Sequence, residues 1–215
     1  MRLKVLDLFC GAGGAAVGYY NAFTAAGFDV DISGVDINPQ KHYPFTMRVD
    51  DAMTWPLEGY DFIHASPPCQ DHSIATNAAK GRGKVYDTGW MLEATYKRFQ
   101  SLSIPWIIEN VATAKMHQPI ILCGSMFGLR VLRHRKFDSN IFIFAPSCNH
   151  VGTTIDGTYL TVAGHSYQKY QPKNTFSDRC KAMGIDWMNR LELPQAIHPV
   201  NAQFLGANIA QAMKG

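Results

Sequence analysis

Short apolar runs recur along this chain, and each is closed by a glycine, a proline or a charged residue. Leu3 to Phe9 reads as a buried strand and runs straight into Cys10-Gly11-Ala12-Gly13-Gly14. Ala15 to Ala26 carries Val17, Tyr20 and Phe23 at helical spacing, with Gly27 as its stop. Ile32 to Asp36 predicts a second strand ending in a carboxylate, and Thr46 to Val49 a third. Asp61 to Ala65 predicts a fourth, ended by Pro67 and Pro68, because proline lacks a backbone N–H and fixes φ. A helix with Leu92, Tyr96, Phe99 and Leu102 on one face follows, then a strand at Trp106-Ile107-Ile108 leading into Glu109-Asn110-Val111. Ile120 to Leu122 and Ile141 to Phe144 read as further strands. Strand, glycine turn, helix, strand is the opening of a doubly wound α/β sheet.

Two stretches break the pattern. Residues 71–89 are polar and almost without core positions, as in a lid or binding loop beside a strand end. From about Pro146 to Asn189 no period emerges, so this part reads as an insertion. The tail, Val200 to Met213, puts Leu205, Ile209 and Met213 on one stripe and reads as a helix returning to the core. The expected organisation is a core over 1–144, an insertion over 145–190 and a returning tail over 191–215.

Composition narrows the class. The 215 residues suffice for one core and a modest appendage, and 47% hydrophobic content argues against disorder. A net charge of +3 permits a nucleic-acid partner without requiring one. Five cysteines spread from Cys10 to Cys180 form no disulfide framework, which suits a reducing compartment. No signal peptide or apolar run of membrane-spanning length is evident, so a cytoplasmic protein without membrane contact is expected.

The chemistry gathers at strand ends. Gly11 to Ala16 fits G-x-G-x-x-A, a turn that lets a cofactor approach the backbone at a helix N-terminus. Nicotinamide and S-adenosylmethionine folds share it. Asp36 is placed for ribose hydroxyls, or is a surface carboxylate, and Asp51 lies after the third strand near an adenine. Cys69, on the stiff turn after Pro67 and Pro68, reads as a packing residue, a metal ligand or a nucleophile. Glu109 is costly to bury unpaired, so its place after an apolar strand argues for function.

Four ordered motifs then carry a resemblance: Asp7-Leu8-Phe9-Cys10-Gly11-Ala12-Gly13-Gly14, Ser66-Pro67-Pro68-Cys69-Gln70, Glu109-Asn110-Val111 and Arg133-His134-Arg135. Together they resemble the cytosine-5 DNA methyltransferases, in compact phage-type form. Trp187, Ala196-Ile197-His198-Pro199 and Phe204-Leu205-Gly206 extend the likeness, which covers roughly residues 1–144 and 187–213. The resemblance implies a Rossmann-like S-adenosylmethionine-dependent fold with a small target-recognition insertion. It implies Cys69 as the thiolate that attacks C6 of cytosine, Glu109 at N3, Arg135 on the O2 side with Arg133 behind it, and Asn110 positioning the strand end. Phe9, Gly11, Gly13, Asp36, Ile37, Asp51, Ala52, Pro68 and Asn201 would hold the cofactor.

The implied partner is double-stranded DNA, met by a monomer in a bacterial or phage-infected cell. Gln70, Lys80, Arg82 and Lys84 are the candidate DNA contacts, the last three on a loop that equally suits ordinary solvation. The chain departs from the family at Val131-Leu132-Arg133, where a glutamine usually precedes the arginines, and at Val200-Asn201-Ala202. The region over 138–190, where the family reads sequence, is small. Cys148-x-His150, with His165 and Cys180 beyond, offers zinc ligands, but the irregular spacing without CxxC predicts no metal. His165 and Tyr167 read as DNA contacts or as packing within the insertion.

Overall fold

A strand whose two faces are both apolar must be covered on both sides. β1 (Arg2–Leu8) is built this way: Leu3 and Val5 enter one core, Leu6 and Leu8 the other. The computed structural model describes residues 1–68, 89–162 and 173–215. In chain order β1 is followed by α1 (Gly14–Ala25), β2 (Asp29–Asp36), β3 (Thr46–Val49), β4 (Phe62–Ala65), α2 (Trp90–Phe99) and β5 (Trp106–Val111). Then come β6 (Ile120–Leu122), β7 (Arg135–Ser139), α3 (Phe176–Met183) and α4 (Pro199–Ala212).

These strands form one seven-stranded sheet in the order β3-β2-β1-β4-β5-β7-β6. β1 to β5 pair in parallel, and β7 runs antiparallel to both β5 and β6. Helices α1 and α4 cover one face with Tyr19, Phe23, Leu205 and Ile209, and α2 covers the other with Leu92, Tyr96 and Phe99. A third cluster joins Val162, Ala182, Met183, Ile185 and Met188 of the insertion to Ala12 of the glycine turn.

Local signals set the ends of the helices. The left-handed Gly27 (φ 87°) closes α1: its N–H reaches the Thr24 carbonyl, and the Phe28 N–H reaches Phe23. The Phe23 and Phe28 rings, 6.3 Å apart edge to face, complete a Schellman stop. Thr175 and Asp178 cap α3 reciprocally.

Two expectations change. The strand predicted at Ile141 to Phe144 is instead Arg135–Ser139, and Phe142 is 90% exposed. Pairing on both edges outweighs the apolar run, since Phe137 alone of the five residues of β7 is apolar. Glu109 and Asn110 lie inside β5 rather than after it.

Candidate active site

Parallel register brings the chemistry to one edge. Leu8 sits opposite both Val35 and Ala65, so β1, β2 and β4 end level. The glycine turn, Asp36 and Ser66 therefore emerge side by side. The antiparallel β7 begins at this edge, with Arg135 opposite Val111.

Glu109 is 5% exposed. Its Oε2 accepts from the Ser66 hydroxyl, and its Oε1 lies 2.9 Å from Arg135 Nε. The ion pair is nearly dry, with the Arg135 side chain 16% exposed. Asn110 is fully buried, and its Nδ2 donates to the Pro67 carbonyl at 3.1 Å. The proline turn that carries Cys69 is thus fastened to β5. Cys69, Gln70, Lys80, Arg82, Lys84, His165 and Tyr167 lie outside the described residues.

Beneath this group runs a buried polar column. Asp7 Oδ1 lies 2.8 Å from His64 Nδ1, and the Tyr43 hydroxyl donates to Asp7 Oδ2 at 3.2 Å. Burial pushes the Asp7 carboxyl up, with the hydrogen bond from His64 opposing it. His198, also fully buried, has no hydrogen-bond partner for either ring nitrogen among the described residues. Burial, and then the charges of Arg133 and Arg135, push its pKa down to about 3. It is therefore neutral beside two cations.

At the cofactor turn Phe9 (φ 56°), Gly11 (φ 48°) and Gly13 (φ 83°) adopt left-handed conformations. Phe9 does so despite its side chain, an outlier of the kind that collects at binding turns. The Gly11 N–H donates to Asp36 Oδ2 at 3.1 Å, while Asn38 N–H takes Oδ1. Asp36 thus braces the turn and keeps lone pairs for a ligand. A Cβ on Gly11 would meet nothing within 4 Å, so the turn has an open face. Ile37 is 67% exposed beside Asp36, an apolar surface at the mouth. Asp51 caps its own turn by accepting from Met53 N–H at 2.8 Å. The Ala52 side chain is buried in the second core and its carbonyl accepts from Arg98. Pro68 is half-buried. Asn201 is fully buried, and its amide has no hydrogen-bond partner among the described residues. The open glycine face, the exposed Ile37 and this orphaned amide suit a bound nucleoside with a polar tail.

Ser66 on Glu109, His64 on Asp7 and His198 facing the two arginines are contacts that no motif announces. Ser66 had a signal, as the hydroxyl just ahead of two prolines at a strand end. His64 and His198 look in sequence like any histidine in an apolar run. Cys148 and His150 do meet, but with Cys123 and His134 rather than Cys180.

The sheet order and this edge define a Rossmann-like, S-adenosylmethionine-dependent methyltransferase. The family model of the C-5 cytosine-specific DNA methylases matches residues 3–118, more than half of the chain, and the chain belongs to that family. Its fold is similar to two solved structures, each aligned over 100% of both chains. These are the Entamoeba histolytica methyltransferase EhMeth (TM-score 0.66, 14% identity) and the S. pombe Dnmt2 methyltransferase (TM-score 0.63, 13% identity). No curated protein sequence matches the chain. Among the described residues no helix is long and apolar enough to cross a membrane.

Proposed function

We propose that this chain methylates C5 of a cytosine flipped out of double-stranded DNA. The observation that carries the reading is the Glu109–Arg135 pair, buried at the sheet edge and bonded to Ser66, three residues before Cys69. A carboxyl and a guanidinium held side by side match the N3 and O2 edge of cytosine. A stacked base is out of reach of any side chain here, so the target must leave the duplex.

The Cys69 thiolate adds to C6 while Glu109 holds or protonates N3, and Arg135 stabilises the O2 side, supported by Arg133. When bound, S-adenosylmethionine would supply the methyl group that C5 takes up, its sulfonium C–S bond breaking to leave S-adenosylhomocysteine. Loss of the C5 proton then expels the Cys69 thiolate and restores the aromatic ring. A free thiol has a pKa of about 8.5, and the cationic arginine pair favours its ionised form. Asn110 acts as a positioning residue by holding the Pro67 carbonyl. Phe9, Gly11, Gly13, Asp36, Ile37, Asp51, Ala52, Pro68 and Asn201 would hold the cofactor. Gln70, Lys80, Arg82 and Lys84 meet the DNA, and the protein acts as a monomer in the cytoplasm.

The test is methylation of duplex DNA and of transfer RNA in parallel, read by bisulfite sequencing. The wild type is expected to mark the DNA, and Cys69→Ser to mark neither substrate while still binding S-adenosylmethionine. Duplex DNA carrying 5-fluorocytosine is expected to trap a covalent adduct with the wild type only. Product made by Cys69→Ser, or methylation confined to the RNA, overturns the reading.

A further inference from the structure

A tetrad of ligands lies outside the catalytic edge. Cys123 follows β6, His134 precedes β7, and Cys148 and His150 open the insertion. Their four ligand atoms all lie within 4.8 Å of one another. His134 Nε2 is 3.4 Å from Cys148 Sγ, and His150 Nε2 is 3.5 Å from Cys123 Sγ. The Cys148 Sγ to His150 Nε2 distance is 2.8 Å. A tetrahedral zinc ion lies ~2.3 Å from sulfur and ~2.0–2.1 Å from nitrogen, which places its ligands roughly 3.3–3.8 Å apart. The first two contacts have that spacing. The third is tighter and must open slightly around an ion.

We propose that Cys123, His134, Cys148 and His150 bind one zinc ion in a closed, structural Cys2His2 site. A neighbouring hydroxyl supports it. The Ser125 hydroxyl donates to Cys123 Sγ at 3.3 Å and lies 4.0 Å from Cys148 Sγ, as an outer group that orients thiolates does. Two thiolates balance the charge of the ion, and the two thiol protons are released on binding.

The site also meets a structural need. Among the described residues, 140–174 contain no helix or strand, and a segment of that size cannot build its own core. Arg130 holds its far side by donating to the Gly157 and Thr158 carbonyls. The ion would fasten its near side to the sheet. Because His134 lies between Arg133 and Arg135, the same ion fixes the entry to β7, where both arginines lie. Binding of the ion itself does not depend on the proposed chemistry.

Elemental analysis of the untagged protein, purified under reducing conditions, tests the site. About one zinc per chain is expected, and Cys148→Ala with His150→Ala should lose it. Cys180→Ala, outside the tetrad, should retain it. His150→Cys should also retain it, since a Cys3His set is equally tetrahedral, whereas a hydrogen-bonded cluster without metal has no reason to bind zinc at all. Cobalt exchanged into the wild-type chain should show thiolate charge-transfer and tetrahedral d–d bands, which keeps the proposal testable if a variant fails to fold. Wild-type protein without zinc and without cobalt bands overturns it. So does zinc kept by the double variant, or a Cys123–Cys148 disulfide in the freshly purified reduced protein.

Discussion

Asn110 Nδ2 donates to the Pro67 carbonyl across 3.1 Å, joining the last residues of β5 to the turn that carries the candidate nucleophile. The same side chain accepts from the Val111 N–H at 2.9 Å, so both ends of its amide are engaged. Asn110→Ala removes the tether and leaves the Pro67 carbonyl without it. A loss of about 1–3 kcal/mol in stability is expected. The larger effect should fall on kcat, about 100-fold, because a displacement near 1 Å at a reacting group costs that much. The dissociation constant for S-adenosylmethionine, measured by calorimetry, should change less than about threefold. Equal losses in kcat and cofactor affinity would mean that the residue serves the whole edge rather than the turn.

Glu109 and Arg135 separate chemistry from stability. Glu109→Gln keeps the volume and one acceptor oxygen for Ser66 or Arg135, so it should cost less stability than alanine while kcat falls by about 10²–10⁴. Glu109→Ala leaves the guanidinium of Arg135 in a nearly dry site without its carboxylate, which should cost about 3 kcal/mol. Thermal denaturation beside single-turnover kinetics distinguishes the two. A Gln variant that unfolds as easily as the Ala variant would make the pair a structural one.

Much of this edge is legible in the sequence because it depends on local order. Gly11, Gly13, Ser66, Pro67 and Glu109 each follow an apolar run, and parallel pairing brings such run ends together. What topology creates is not legible. β7 has a single apolar residue and becomes a strand because β5 and β6 pair with it on both sides. The Cys123–Cys148 neighbourhood joins residues 25 apart, a distance at which no motif spacing speaks. The helix α3 did leave a signal, Thr175-x-x-Asp178 with Gly184 as the stop, and was masked by the polar character of its surroundings.

The contact between α1 and α4 has no room for a methyl group at Gly18. A Cβ there would lie 2.1 Å from the Pro199 carbonyl oxygen and 2.7 Å from the Ala202 Cβ. Neither atom belongs to a flexible side chain, so Gly18→Ala must push the helices apart. A loss of about 3 kcal/mol, at the upper end of overpacking costs, is expected in urea unfolding. Gly206, where a Cβ would meet the Ala22 methyl at 2.8 Å, the Tyr19 ring at 3.2 Å and the Tyr19 Cα at 3.6 Å, should tolerate alanine better. If the two variants proved equally stable, the helix contact would be looser than the backbone distances imply.

His198 should make the fold acid-sensitive well above the range of ordinary carboxylates. Its folded pKa of about 3 lies below the ~6.5 of an unfolded chain, because it is buried and faces the cations Arg133 and Arg135. Between those values the unfolded chain binds a proton that the folded chain does not. The residue therefore carries no penalty above pH ~6.5 and a growing one as pH falls, at up to about 1.4 kcal/mol per unit. Urea unfolding of the wild type from pH 7.5 to 4.5 should show this slope, and His198→Gln should flatten it by about one proton. Asp7, whose carboxyl burial pushes up, titrates in both proteins and cancels in their difference. Parallel stability curves for the two would mean that His198 is protonated in the folded protein, balanced by a charge other than those that now face it.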